Sequence, residues 1–495
     1  MAAGRRVIID DFSGGVDLSS PPSDVRSPFV PGALNITSRG RAASQRWGAA
    51  SLGLTQGVAQ WVYHSPIFPS RIFTQEGATL YENDAVGFPG SHTARKTFTT
   101  AASVSAVDFV TTASGTPCIV FVHPVDGVFT WDGTTFSARV GSPVKGTACA
   151  VWQNKCWVID GSKVWWSNPG RADVWSTATD FNSVRDLNDE DLTAVGVGNG
   201  IDTLERTGLL VFKRQSTHLI IDSETGEYKT LDTRHGAMSK EAVTTALGRV
   251  FCSNELGIYE VTDNGLRDIH SRVGVLWDQP NVGSRREVAW TVGDRVYFGN
   301  DASMETILEY VIPGQAWWPH LPAGVDGVLS ATATSYDGYG AAAVPYVLVE
   351  GPSFNTTTLL KMWLPPGAPG GDGQDGLGAV QTTLRLPAVT GQLGELRCDR
   401  VFVRGWGSAV SLTPTVYSDG AEAGTAQPVV TLGAAGAFEQ TAILNQLGVH
   451  RQLGLALQAS ATVPVSQPGT GAAVAPTAPP LGITSVRFDV IDSRA

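Results

Sequence analysis

The feature that most restricts the fold is a local pattern that returns from about Gly57 to Trp363: a short β-branched or aromatic run, a tight turn, then a second run carrying Tyr, Phe or Trp. Its clearest copy runs Cys118-Ile-Val-Phe-Val, Asp126-Gly127, Val128-Phe129-Thr130-Trp131 and Asp132-Gly133. Asp-Gly supplies the positive φ angles of a two-residue hairpin loop. The next copy, Ala150-Val151-Trp152, Cys156-Trp157-Val158-Ile159, Asp160-Gly161 and Val164-Trp165-Trp166, places three strands and two turns in one short segment. Landmarks on the second run of each hairpin, Tyr81, Phe129, Trp165, Leu219, Tyr259, Tyr310 and Leu360, recur every ~35–55 residues, the period of a four-stranded propeller blade. The spacing is too uneven for a tightly stacked solenoid. The expected fold is all-β, with a six- or seven-bladed β-propeller over residues 51–363; a series of β-sandwiches is the plainer alternative.

Each sheet of a propeller is covered on both faces by its neighbours, so its inner strands should be apolar without interruption. Ile119-Val-Phe-Val and Leu209-Leu-Val-Phe meet that demand, and no amphipathic helical period of ten or more residues is evident. A chain of 495 residues with 42% hydrophobic residues exceeds one ordinary core, so further domains or a ring of repeats are needed. The net charge of −11 and the lack of a long basic run argue against a nucleic-acid-binding face. An acidic balance still suits a conduit that must not retain DNA. The start has only a three-residue apolar run after Arg5 and Arg6, and the stretch from Gln452 to Ser485 is too rich in Pro, Gly, Ser and Thr for a spanning helix, so neither a leader nor a membrane segment is expected. Cys118, Cys149, Cys156, Cys252 and Cys398 are scattered and lack any C-x-x-C pair; reduced thiols are expected, with a Cys149–Cys156 bridge across a hairpin as the lesser alternative.

The composition breaks at Leu364-Pro-Pro-Gly-Ala-Pro-Gly-Gly-Asp-Gly, so residues 364–379 read as a linker. Beyond it, Gln381–Leu386, Arg397–Arg404, Val410–Ser418, Pro428–Leu432, Gln452–Gln458 and Ile483–Ile491 alternate apolar and polar residues, which predicts a β-sandwich of jelly-roll or immunoglobulin type over 380–495, with a long loop at Thr462–Leu481. Residues 1–50, with Ser13-Gly14-Gly15, Pro21-Pro22, Pro28 and Pro31, read as an extended arm lying on its own propeller or on a neighbouring subunit.

Motifs that carry chemistry are few. There is no G-x-S-x-G elbow, H-E-x-x-H helix or phosphate-binding loop. The acidic cluster Asp186, Asp189, Glu190 and Asp191 lacks EF-hand spacing and reads as a solvated loop, as do Asp10, Asp11 and Asp17 in the arm. His64, His92, His123, His218, His235, His270, His320 and His450 are dispersed, without the spacing of a shared metal. Trp165-Trp166 and Trp317-Trp318 would each put one ring in the core and one at the blade surface, with a sugar-stacking platform as the alternative. The expectation is a non-enzymatic chain with no catalytic, cofactor or metal residue.

With these features in view, the chain resembles the β-propeller tail proteins of tailed double-stranded DNA bacteriophages, especially the nozzle or tail-stabilisation proteins of short-tailed phages. The phrases that carry the resemblance are Pro31-Gly32-Ala33-Leu34-Asn35-Ile36, Arg46-Trp47-Gly48, Gly208-Leu-Leu-Val-Phe-Lys213 with Ser216-Thr-His-Leu-Ile220, Gly248-Arg-Val-Phe-Cys-Ser253 with Gly257-Ile-Tyr259, Arg400-Val-Phe-Val-Arg404 and Val416-Tyr-Ser-Asp-Gly420. The resemblance implies a virion tail protein assembled in the host cytoplasm: a homo-oligomeric ring, often of six, beneath a portal or adaptor. Such a ring carries fibres or spikes and lets DNA pass without sequence-specific binding. Related proteins also sit at the tips of long tails. A receptor- or glycan-binding tail-tip module is the second reading, and a propeller glycosidase, needing two carboxylates at the channel mouth, is the third.

Overall fold

The computed structural model describes residues 4–492 apart from connecting segments, the longest being 200–206, 278–286, 333–345, 362–373, 444–451 and 462–480. Seven antiparallel sheets of four consecutive or nearly consecutive strands form blades 1 to 7 of a propeller, spanning 59–97, 105–138, 148–183, 194–232, 243–268, 287–320 and 327–361. Blade 7 takes its fourth strand from the other end of the sequence: Ala50–Leu54 pairs antiparallel with Thr357–Lys361. The ring is thereby closed by strand pairing. Between the consecutive blades 1 and 2, Tyr63 and Ser65 donate to Asp108 at 3.1 and 2.7 Å. Each of the seven landmark residues falls on the third strand of its own blade.

The unbroken apolar strands have a direct cause. In Gly208–Phe212, Leu209 and Val211 pack toward blade 3, while Leu210 and Phe212 pack toward blade 5. Both faces are covered, so neither can be polar. The hairpin turns carry the strain that the sequence allots to glycine, with φ 90° at Gly127 and 57° at Gly161.

The C-terminal sandwich has two sheets, and the first 45 residues are woven into both. In one, Gly4–Ile9 pairs with Leu481–Asp492, which also pairs with Leu396–Gly407 and Ala42–Gln45; Ile36–Arg39 extends that edge. In the other, Gly32–Leu34 pairs with Gln381–Arg385, beside Gln452–Ala461 and Val410–Ser418. Between these segments, Gly15–Val16 and Phe29–Val30 add to the outer edge of blade 6, Gly15 lying against Trp317. The expected extended arm is therefore strand material of both domains. Its strands are too short, and their partners too distant in sequence, to show a period of their own. The sandwich also contains a strand, Gly436–Ile443, absent from the six expected from alternation.

One core cluster joins all three parts. Ile9, Phe12, Val16, Val30 and Ile36 pack with Val401, Leu457 and Val486 of the sandwich and with Val311 and Trp318 of blade 6. Both members of the Trp317-Trp318 pair are consequently buried: Trp317 in the core between blades 5 and 6, Trp318 under the arm and sandwich. The expected surface ring is covered because the blade has a layer on top of it.

The turn within Pro31-Gly32-Ala33-Leu34-Asn35-Ile36 fastens this layer. Asn35 adopts φ 55°, its N–H donates to the Pro319 carbonyl at 3.0 Å, its amide donates to Leu321 O at 3.2 Å, and its Oδ1 accepts from Leu321 N–H at 2.8 Å. Asn tolerates the left-handed region better than other side chains and here replaces a missing strand partner. Replacing Asn35 with Ala should lower stability by about 2–4 kcal/mol, from two side-chain hydrogen bonds and the positive φ, as read from the urea midpoint.

Two residues further on, Thr37 and Ser38 contact a buried ionic network of blade 6. Glu309 accepts from Arg295, from Thr37 Oγ1 at 3.0 Å and lies 2.6 Å from His320 Nε2; Arg295 also reaches Thr37 and donates to Ser38 O at 2.9 Å. Burial alone would raise the Glu309 carboxyl, but the Arg295 guanidinium and the His320 ring outweigh it and hold it at about 2.

Candidate functional site

Along Arg71–Glu76, alternate residues face opposite neighbours. Phe73 packs toward blade 2, whereas Ile72 packs with Tyr346, Leu348 and Leu359 of blade 7. Thr74 and Glu76 share the face of Ile72, and the register sets Tyr81 opposite Thr74 and Asn83 opposite Ile72. At the seam, Thr55 N–H donates to Thr357 O at 3.1 Å and Ala59 N–H to Thr357 Oγ1 at 3.0 Å, so Gly57 and Val58 cross from the closing strand into blade 1. A groove of about 820 Å³ opens here, lined by Gly57, Val58, Gln60, Glu76, Tyr81 and His92, with Gly77 and Ala94 at its edge.

The hydrogen bonding within the groove fixes its chemistry. The Asn83 amide donates to Thr74 Oγ1 at 2.9 Å and Ile72 O at 3.4 Å, which leaves its Oδ1 facing His92 Nδ1 at 2.7 Å. His92 Nδ1 must then carry a proton, and the ring turns Nε2 toward Glu76 Oε2 at 3.7 Å. The ring lies flat on Tyr81, centroids 4.0 Å apart, and cannot rotate away. Glu76 Oε1 is buried with no hydrogen-bond partner among the described residues. Burial pushes the Glu76 carboxyl above the ordinary carboxylate range, against the pull of His92 and the Gly57 N–H. A buried carboxylate with one unmatched oxygen, beside a ring fixed by Asn83 and Tyr81, thus forms the floor of the groove.

A second polar feature lies on the propeller axis. Lys240, in the turn before the innermost strand of blade 5, donates to Ser103 O and Val104 O, at 2.7 and 2.6 Å, before the innermost strand of blade 2. Blades 2 and 5 stand on opposite sides of a seven-membered ring, so the side chain crosses the axis. Lys240→Met keeps the stem and removes the donors; it should cost about 1–2 kcal/mol in urea denaturation, from the two hydrogen bonds lost.

The residues singled out from the sequence are mostly structural. Asp11 caps a turn by accepting from Ser13 N–H and Oγ at 3.0 and 2.7 Å, and Asp17 does so for Ser19 at 2.9 and 2.7 Å, while Asp10 is exposed beside Arg41. Burial would raise the carboxyls of Asp11 and Asp17, and the turn hydrogen bonds instead lower them. Glu190 accepts from Gln215 N–H at 3.3 Å; Asp186, Asp189 and His450 lie outside the described residues, as do Arg46, the loop at 462–480 and most of the 364–379 linker. His64 and His92 both belong to blade 1, and no group of three or more His, Cys, Asp or Glu among the described residues is arranged to hold a metal. Cys149 faces Val158 and Cys156 faces Val151 across the hairpin, so the two thiols are not opposed and both are free. Burial pushes the Cys149 thiol up to about 11. Trp166 is core, and half-buried Trp165 packs on Phe181. The groove pair Glu76 and His92 was not singled out as a unit, because the bulge between Leu80 and Tyr81 hides the register that joins them.

The fold thus defines a seven-bladed β-propeller carrying a β-sandwich on blade 6. No protein-family model matches the chain, and no curated protein does. Among solved structures it is similar to the structure of U3-55K, at 9% identity over 64% of this chain and 98% of that one, with a TM-score of 0.44. It is likewise similar to the crystal structure of the RRP9 WD40 repeats, at 9% identity over 64% and 99% of the two chains, with a TM-score of 0.43. The propeller assignment rests on the strand pairing described above.

Proposed function

We propose that the chain is a structural protein of a tailed double-stranded DNA phage, one subunit of a tail ring or nozzle that conducts DNA and carries fibres or spikes. The observation that supports this reading most is the single core joining arm, sandwich and blade 6. A load-bearing subunit needs its domains fixed in angle, and a shared apolar core resists hinge motion where a flexible linker permits it. Two of the phrases that carry the tail-protein resemblance fall on the parts that make this joint, Asn35 at the turn and Arg400-Val-Phe-Val-Arg404 in the long strand Leu396–Gly407, while others lie in blades 4 and 5. Because Lys240 crosses the propeller axis, DNA in such a ring would travel between subunits rather than through a propeller. The negative net charge of −11 favours release of passing DNA over retention.

Native mass measurement of the purified chain, alone and with portal or adaptor proteins, tests this. A closed ring of several copies, formed alone or on the portal, is the expected result. A persistent monomer that binds polysaccharide and never joins a portal or tail fraction would contradict it.

A further inference from the structure

We infer that the groove at the seam of blades 1 and 7 is a binding site for a primary alkylammonium group, such as a lysine side chain or a polyamine end. This goes beyond the tail-ring reading and does not depend on it. The Glu76 and His92 side chains are each only 9% exposed, yet Glu76 Oε1 has no donor among the described residues, and His92 Nε2 stands 3.7 Å from Glu76 Oε2, beyond hydrogen-bond distance. An unmatched buried acceptor costs about 1–3 kcal/mol, so a ligand that supplies the missing donors recovers that cost on binding.

The number and kind of donors select the ligand. An ammonium offers three hydrogens and a positive charge, which suit a buried carboxylate with an unmatched oxygen. A water molecule offers two hydrogens and no charge. An anion is excluded by the carboxylate, and a neutral sugar hydroxyl brings one hydrogen. Gln60 cannot compete for the carboxylate, since its amide already donates to Gly77 O and Ala101 O at 3.2 and 2.5 Å. The walls suit an alkyl stem: Val58 is 47% exposed at the rim, and Gly57 and Ala94 leave the approach open. A Cβ at position 57 would stand 2.8 Å from Glu76 Oε2 and would displace the carboxylate.

The test is calorimetric titration of the whole chain at neutral pH with n-butylammonium, spermidine and Nα-acetyl-lysine amide, using n-butanol as the uncharged control. Saturable binding of the amines, at least ten-fold tighter than the alcohol, is expected. Glu76→Gln, which keeps shape and fold, should weaken it at least ten-fold, and Ala94→Leu should weaken it by obstructing the stem. Spermidine binding well above acetyl-lysine amide would identify a free polyamine as the source; equal or tighter binding of the lysine probe would identify a protein side chain. Amines that bind no better than n-butanol, an unchanged affinity in Glu76→Gln, or Zn²⁺ binding where the amines fail would overturn the proposal. None of these outcomes alters the ring measurement.

Discussion

A chain lacking residues 1–47 should lose the folded sandwich, not merely a contact with a neighbour. That segment carries the buried side chains Ile9, Phe12, Val16, Val25, Val30 and Ile36. At about 1.5–3 kcal/mol for each fully buried aliphatic or aromatic side chain, their removal forfeits on the order of 10 kcal/mol, comparable with the whole stability of an ordinary domain. It also strips strands from both sandwich sheets and uncovers Trp318. The truncation spares Ala50–Leu54, so the propeller keeps its closing strand. Limited proteolysis should then degrade the region beyond residue 380 while a propeller fragment survives, and co-expression of residues 1–47 as a separate peptide should restore protection. A truncated chain with an unchanged melting curve that only fails to assemble would assign the segment to neighbouring subunits instead.

The second large effect is expected at Glu309. Glu309→Ala leaves the Arg295 guanidinium beside the sandwich with only the half-exposed Asp294 as counter-charge, and breaking a buried pair from one side typically costs about 3–5 kcal/mol. Adding Arg295→Met to it should cost less than the two single losses combined, because the remaining charge is removed as well. The same network sets an acid limit. A carboxyl held at about 2, against 4.5 ordinarily, contributes on the order of 3 kcal/mol that is fully present above pH 4.5 and lost as pH falls through 2. The urea midpoint should therefore decline on acidification across that window, and should decline less in the Glu309→Ala, Arg295→Met double variant.

The blades were legible where their signals were local. A hairpin such as Cys118 to Trp131 carries its turn residues and both apolar runs within one short segment, so its landmark could be assigned before its partners were known. The fourth strand of a blade carries no such signal. Thr93–Thr97 is almost wholly exposed at a sheet edge, and its Lys and Arg read as loop. Blade closure was illegible for a different reason: Ala50–Leu54 pairs with residues some three hundred positions later, a choice made by the whole ring. The same non-locality hid the role of the arm, whose strands run for two to six residues and acquire meaning only against the sandwich. The alternation that predicted one exposed ring in Trp317-Trp318 was sound for a bare blade and failed because blade 6 is covered. The groove depended on the exact meeting of Glu76, His92 and Asn83 across three strands, and neither composition nor spacing carries that register.

The proposed function ties a fixed propeller–sandwich body to a place in a tail ring. Electron-microscopic reconstruction of the particle that contains this chain tests that tie most directly. The expected result is a closed ring of copies beneath the portal, each with seven blades and with its own residues 4–45 built into its own sandwich, and with the DNA path between subunits. Density that places single, unringed copies at a fibre tip, or none in the tail at all, would contradict it.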